Sequence, residues 1–544
     1  MNNFKEKVFL FNMLRRSQII KYVFLLFAVS SCLAQNITNY LPGIWGDQGN
    51  GTYINPILNA DYSDPDAIRV GDDYYMVCSE FHFMGMPVLY SRDLVNWTII
   101  ARVYDEFKFA PGYDTNDCYA GGSWAPSIRY HDNKYWIYFC SPKEGLFMTT
   151  AERPEGPWEP LTQVVNIAGW EDPCPFWDED GQGYLGRSQL GAGPIYLHKL
   201  SADGKQLLDD GLIVYTGPVA EGTKIYKQNG YYYISIPEGG VPVGWQTILR
   251  SKTIYGPYEK KVVLERGVTD TNGPHQGAWI DTPDGQWWFM HFQSVDNIGR
   301  VCHLQPMSWK DKWPVIGVDM DMNGIGEPVS VWKKPNVGKA YPVQAPQTSD
   351  NFDSNQLGFQ WSWNHNPQHS AWTLKKNPGY LSLTALLSIS FLKAKNTLTQ
   401  KVVGKQGKAT TLLLTNEMKE GQKAGLCVMG REYNLIGIVK ENGKLSLFSD
   451  INSEVSTLAG NFAKIYLQVT VTSEEGNNQF YYSTDNKTYK PFGGKFIVNN
   501  GHWKGPKIGL FSYNEKENGG IAKFDWYQYE HDGPREVIFP AKLK

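Results

Sequence analysis

Three carboxylic acids hold one recurring place in this chain. Asp172 lies in "WEDPCPFWDEDGQGYLG", residues 170–186, where an acid–proline step enters an apolar run that ends in an Asp-Gly turn. Asp64 opens "DPDAIRV" ahead of "GDDYYMV", and Glu221 opens "EGTKIY" ahead of "NGYYYISI". Trp124 in "SWAPSIRY" and His275 in "HQGAWI" stand at the same place in two further copies. Counted to the Gly or Asn of the following turn, Asp64, Trp124, Asp172, Glu221 and His275 lie 7, 9, 9, 9 and 10 residues ahead. Any one of these acids alone reads as a turn cap; three at equivalent offsets read as a site. Carboxyl groups gathered in one pocket repel, so some keep their protons above the usual range. A carboxylic acid and a carboxylate on two sides of a sugar are what cleavage of a glycosidic bond needs. One protonates the leaving oxygen, the other takes a proton from water, and a third can tune the acid. Glu171 and Glu238 are the nearest other acids. Strict alternation along a strand turns Glu171 away if Asp172 faces inward, and Glu238 falls beyond its strand.

The turns marking these positions are at Gly71, Asn133, Gly181, Gly230 and Gly285, spaced 62, 48, 49 and 55 residues apart and followed by aromatic residues. A period of about 50 residues with several short strands describes a propeller blade. Five copies predict an all-β fold with a five-bladed β-propeller over roughly 50–335; a meandering β-sandwich is the alternative. The first strand of each blade is innermost, so the five openings meet around the axis. The Pro-rich stretch 336–349 predicts a linker, and the alternating strands of 350–544 predict a β-sandwich. No long helix is expected in either part.

The wider composition fits this reading. A chain of 544 residues is too long for one core, and a formal charge of −3 gives no basic surface for nucleic acid or anionic lipid. An aromatic content of 14% favours a β protein or a sugar binder. The N-terminus reads as a leader over 1–34: Arg15, Arg16 and Lys21 precede "YVFLLFAV" and "SSCLAQ", and Met13 is a second start that keeps the leader intact. Cleavage after Ala34 releases a soluble protein; "VSSC" resembles a bacterial lipobox, which would place a lipid anchor on Cys32. Either route makes the protein exported, periplasmic or secreted. No other segment is a transmembrane candidate. The remaining six cysteines form no CxxC pair and read as scattered thiols. With this domain start, the catalytic part spans 35–335.

"NPILNADYSDPDAIRVGDDYYMVCSEFHFMGMPVLYSRDLVNW", "SWAPSIRY", "EDPCPFWDEDGQGYL", "EGTKIYKQNGYYY" and "HQGAWIDTPDGQWWFMHF" resemble family 43 of the glycoside hydrolases over nearly all of 50–330. The stretches "FQWSWNHNP" and "NTLTQ" resemble the concanavalin-like β-sandwich that follows many of its catalytic domains. The resemblance implies a propeller that hydrolyses with inversion. It makes Asp64 the general base, Glu221 the general acid and Asp172 the residue that tunes and orients the acid. It places His275 beside a calcium-centred water cluster on the axis, Arg300 near the acid and substrate, and Trp124 in the pocket as an aromatic contact. The implied activity is an exo-acting α-L-arabinofuranosidase on plant oligosaccharides or polysaccharides. A β-D-xylosidase is the rival reading, and a glycan-binding propeller without catalysis the third. The "CHLQPM" stretch after Arg300 departs from the xylosidase-like members. The sandwich is expected to pack on the propeller through an apolar interface, with a loop from it at the pocket rim; the aromatic stretch 361–372 is a candidate for that rim, and core packing of a sandwich strand is its alternative.

Overall fold

Each repeat folds into a four-stranded antiparallel meander. The computed structural model describes residues 40–474 and 476–536; the expected leader and Cys32 lie outside the described residues. Sheet 1 comprises Asp66–Val70, Asp73–Val77, Pro87–Ser91 and Trp97–Arg102. Sheet 2 comprises Trp124–His131, Lys134–Ser141, Gly145–Ala151 and Thr162–Val165. Sheet 3 comprises Trp170–Trp177, Gly183–Gln189, Ile195–Leu200 and Leu212–Tyr215. Sheet 4 comprises Lys224–Gln228, Tyr231–Glu238, Trp245–Ser251 and Glu259–Leu264. Sheet 5 comprises His275–Asp281, Trp287–Val295, Gly299–Lys310 and Trp313–Ile316. Among the described residues there is no α-helix, and none is long and apolar enough to cross a membrane.

The paired aromatics explain why these sheets assemble side by side. Successive strand residues point to opposite faces, so neighbours in one pair enter different layers. Tyr74 joins the apolar cluster between sheets 5 and 1, while Tyr75 joins the one between sheets 1 and 2. Tyr135 also fills the layer between sheets 1 and 2, and Trp136 the layer between sheets 2 and 3. Trp288 returns to the layer between sheets 5 and 1. Burying one such ring is worth on the order of 3 kcal/mol, and every inter-sheet layer contains several. The first strands of sheets 1, 2, 3 and 4 pack in sequence, and that of sheet 5 packs on sheet 4 and on the first strand of sheet 1. The circle is closed by the chain start. Ile57 and Leu58 donate to the Cys302 carbonyl at 2.9 and 3.3 Å, and Cys302 N–H donates to Leu58 at 3.0 Å. Thr52–Ile54 pairs with Val331–Lys333 on the outside.

Residues 334–349 contain no strand and run along sheet 1. Gln347 brackets Ile99 on the edge strand, accepting from its N–H and donating to its carbonyl, both at 3.1 Å. Beyond this segment lie an eight-stranded and a seven-stranded sheet over one shared core that includes Trp361, Leu426, Leu467 and Phe524. Residues 42–535 form one compact unit.

The expected apolar contact between the two parts is mixed. Phe83, from the five-sheet part, inserts beside Phe391 and Phe511 of the two-sheet part. Met84 N–H donates to the Trp363 carbonyl at 2.9 Å and His365 N–H to the His82 carbonyl at 3.0 Å. Next to Phe83, the buried Glu80 carboxylate meets Lys507 at 2.5 Å, Lys401 at 2.8 Å and Lys504 at 3.9 Å. Burial alone would raise its pKa, but Lys401, followed by Lys507 and Lys504, outweighs it and holds Glu80 well below the usual carboxylate range.

Candidate active site

The residue that enters each first strand is kinked into left-handed backbone. Asp64 has φ 54°, Ala125 38°, Asp172 54°, Gly222 63° and Gln276 35°. Four are not glycine, and residues held in this region concentrate where surrounding structure over-determines them. The strand register slips at the same place. Trp124 faces Cys140 but Ser127 faces Tyr138; Glu171 faces Ser188 but Cys174 faces Gly186; His275 faces Phe292 but Gly277 faces His291. Each slip inserts one extra residue, a β-bulge. A bulge breaks the alternation of sides, so the expectation for Glu171 is corrected: Glu171 and Asp172 both line the pocket. Aligned by kink and register, Ser63, Trp124, Glu171, Glu221 and His275 are equivalent, and Asp64 and Asp172 sit one residue further on. Counting from the turns missed this one-residue step. Glu238 is likewise corrected. It ends the second strand of sheet 4, buried, and is occupied by Tyr215 at 2.7 Å, Thr247 at 2.6 Å and Lys260 at 2.8 Å.

The structure brings all six predicted residues, Asp64, Trp124, Asp172, Glu221, His275 and Arg300, to one cavity of about 800 Å³. Each acid is fixed by its neighbours' kinks. Ser79 Oγ donates to Asp64 Oδ2 at 2.6 Å and itself accepts from Ala125 N–H at 2.7 Å. Ser63 Oγ adds a bond to Asp64 Oδ2 at 2.8 Å. Arg300 Nη1 donates to Asp64 Oδ1 at 2.8 Å. Arg300 therefore sits on the expected base; Asp61 directs it there by accepting from its backbone N–H at 2.9 Å. Asp172 Oδ2 accepts from Ser188 Oγ at 2.9 Å and from Gly222 N–H at 2.6 Å. Since Gly222 follows Glu221, Asp172 positions the backbone that carries Glu221. The Glu221 carboxylate pairs with His275 Nε2 at 2.6 Å.

Oxygens of Glu171, Asp172 and Glu221 lie within 4.8 Å of one another. Burial, then the neighbouring carboxylates, pushes both Glu171 and Asp172 above the usual range. Both protons are thus bound more tightly in the folded chain, which stabilises it below the ordinary carboxylate range and loses that contribution as pH rises past neutrality.

The residue that the resemblance places beside calcium, His275, offers no side-chain oxygen, and the oxygen donors that could hold a cation are those of Glu171, Asp172 and Glu221. His275 Nε2 is taken by Glu221, and Nδ1 is the orphaned atom. Two residues past the kinks, Lys224 Nζ donates to Ser127 Oγ at 2.9 Å and stands 4.0 Å from Asp66 Oδ1. Calcium takes six to eight oxygens, so the carboxyl groups of Glu171, Asp172 and Glu221 would be part of any such shell. No step is routed through the ion.

The far wall comes from the two-sheet part: Arg431, Asn500, Gly501, Trp503 and Lys504. Trp503 is 57% exposed and its ring lies 6.3 Å from Trp124. The candidate rim 361–372 instead follows its alternative: Trp361 is core and Asn366 reaches Phe107. The loop has no strand periodicity, and only its exposed Trp beside Gly could have marked it.

Residues 53–314 match the model described as "Glycosyl hydrolases family 43", and 349–530 match "Beta xylosidase C-terminal Concanavalin A-like domain". The chain is 52% identical over 472 residues to the protein named "Putative beta-xylosidase" of Xylanibacter ruminicola, covering 86% of this chain and 88% of that one. It is 39% identical to "Beta-xylosidase" of Formosa agariphila, covering 92% and 94%. Identity to "Non-reducing end alpha-L-arabinofuranosidase BoGH43B" of Bacteroides ovatus is 27%, covering 88% and 94%. The crystal structure of the GH43 BlXynB protein from Bacillus licheniformis superimposes with a TM-score of 0.76 at 27% identity, covering 88% of this chain and 99% of that one. With a site built from four carboxylic acids on three of its five sheets, the chain belongs to glycosyl hydrolase family 43.

Proposed function

We propose that this chain is an inverting, exo-acting β-D-xylosidase on xylo-oligosaccharides. The expected α-L-arabinofuranosidase gives way because the relatives at 52% and 39% identity are named for xylosidase activity, and the arabinofuranosidase relative stands at 27%. The fold behind it is read as a five-bladed propeller followed by a β-sandwich, since five meanders pack in a closed circle. One observation carries the mechanism: Asp172 accepts from the N–H of Gly222, so the acid at Glu221 is held from the next sheet, while Asp64 is held separately by Arg300 and two serines. Asp64 takes a proton from water as its oxygen attacks the anomeric carbon. Glu221 gives its proton to the leaving oxygen as the glycosidic bond breaks. Such a pair is separated by about 6.5–9.5 Å to admit the water. The leader reading places the enzyme outside the cytoplasm, soluble or anchored at Cys32.

The assay runs aryl β-D-xyloside beside aryl α-L-arabinofuranoside. We expect the xyloside to give the higher kcat/KM and the first product to have inverted configuration by NMR. Faster arabinofuranoside turnover refutes the sugar, and retained configuration refutes the mechanism.

Glu221→Gln is expected to lose about 10²–10⁴-fold in kcat on xylobiose. The loss should shrink on xylosides whose phenol leaves without a proton. Equal losses across leaving groups contradict the role of Glu221.

A further inference from the structure

Glu171 is unused by this mechanism, yet it lines the pocket and is 6% exposed. Asp172 is satisfied by two donors and Glu221 by His275. Glu171 has one hydrogen bond, from Ala192 N–H to Oε1 at 3.1 Å. Three carboxyl groups this close do not all ionise; Glu171 and Glu221 have one donor each, but that of Glu171 is an uncharged backbone N–H at 3.1 Å against the imidazole at 2.6 Å on Glu221, so Glu171 keeps its proton readily. A second observation points to a missing ligand. Gln276, 6% exposed and lining the same cavity, has a buried Oε1 without a partner. A sugar hydroxyl both gives and takes a hydrogen bond, and needs a donor and an acceptor.

We propose that Glu171 is a specificity residue that stays a neutral carboxylic acid and donates a hydrogen bond from Oε2 to a hydroxyl of the terminal sugar, with Gln276 Oε1 as an acceptor in the same pocket. This rests on the glycosidase reading above. Nothing in it requires Glu171 to exchange its proton during turnover. Burial and the charges of Asp172, Glu221 and Asp64 all favour the neutral form.

The test compares Glu171→Gln, which keeps a neutral donor of similar shape, with Glu171→Ala. On whichever aryl glycoside the wild type cleaves, Glu171→Ala should lose about tenfold in kcat/KM, the size of one neutral hydrogen bond. Glu171→Gln should stay within about threefold. In the infrared at neutral pH, where Glu221 and Asp172 also contribute protonated carboxyl, the difference spectrum of Glu171→Gln against the wild type should show the loss of one protonated-carboxyl stretch. The proposal is overturned if the two variants lose equally, or if Glu171→Ala loses nothing. It is also overturned if the difference spectrum shows no loss of a protonated-carboxyl stretch, as when a cation neutralises three carboxylates. The infrared arm needs no turnover: a wild type that cleaves no glycoside sinks the glycosidase reading, while the band still decides the proton on Glu171.

Discussion

Asp64→Asn should reduce kcat by at least about 10³–10⁴-fold on every glycoside the enzyme cleaves, including those with good leaving groups. An amide cannot take the proton of the attacking water, and no neighbour replaces it. Arg300, Ser63 and Ser79 all donate to this carboxylate, so an amide NH₂ in its place would face donors on every side. The contrast with Glu221→Gln is the diagnostic. Removing the base is indifferent to the leaving group, whereas removing the acid is not. A single-turnover assay with an activated aryl xyloside reads both. Asp64→Asn retaining more than about a hundredth of wild-type kcat on that substrate would remove Asp64 from the base role.

The second large effect lies away from the chemistry. Glu80→Gln should destabilise the protein by about 3–5 kcal/mol, the cost of leaving buried charge without its partner. Lys401, Lys504 and Lys507 would then repel one another with no carboxylate between them. Urea unfolding followed by tryptophan fluorescence measures this; a change below about 1 kcal/mol would show that the lysines simply neutralise or find water. Because Glu80 binds its proton more weakly in the folded than in the unfolded chain, its contribution is complete above the ordinary glutamate range. It is lost as pH falls well below that range. Lys504 both faces Glu80 and forms the pocket wall, so the same variant should raise KM before it affects kcat.

The five aromatic turns and the acids ahead of them were legible because strand period and turn chemistry are local. The side on which each acid points was not. A bulge adds one residue, and period-two reasoning then assigns Glu171 to the wrong face. The kinks at Ala125 and Gln276 carry no residue type that announces left-handed backbone. Arg300 was found, but its partner was not, because Asp61 and Asp64 meet it from 239 and 236 residues away. The Glu80 cluster was invisible for the same reason: its lysines are spread over 401–507, two in strands and Lys504 in a loop, and lysine in either place reads as solvated. The Trp503 wall was missed in favour of a more aromatic stretch that became core. Richness in aromatic residues marks burial at least as often as it marks a binding rim.

The pairing of the chain start with sheet 5 has a consequence for synthesis. Asn55 Nδ2 donates to the Leu304 carbonyl, 249 residues further along. At about 5–20 residues per second, the ribosome needs roughly 12–50 s to deliver that partner. Until then Ile57 and Leu58 have no strand to join, and sheet 1 presents one uncovered aromatic face. The nascent chain therefore waits, exposed on that face, for a length of time set by translation rather than by folding.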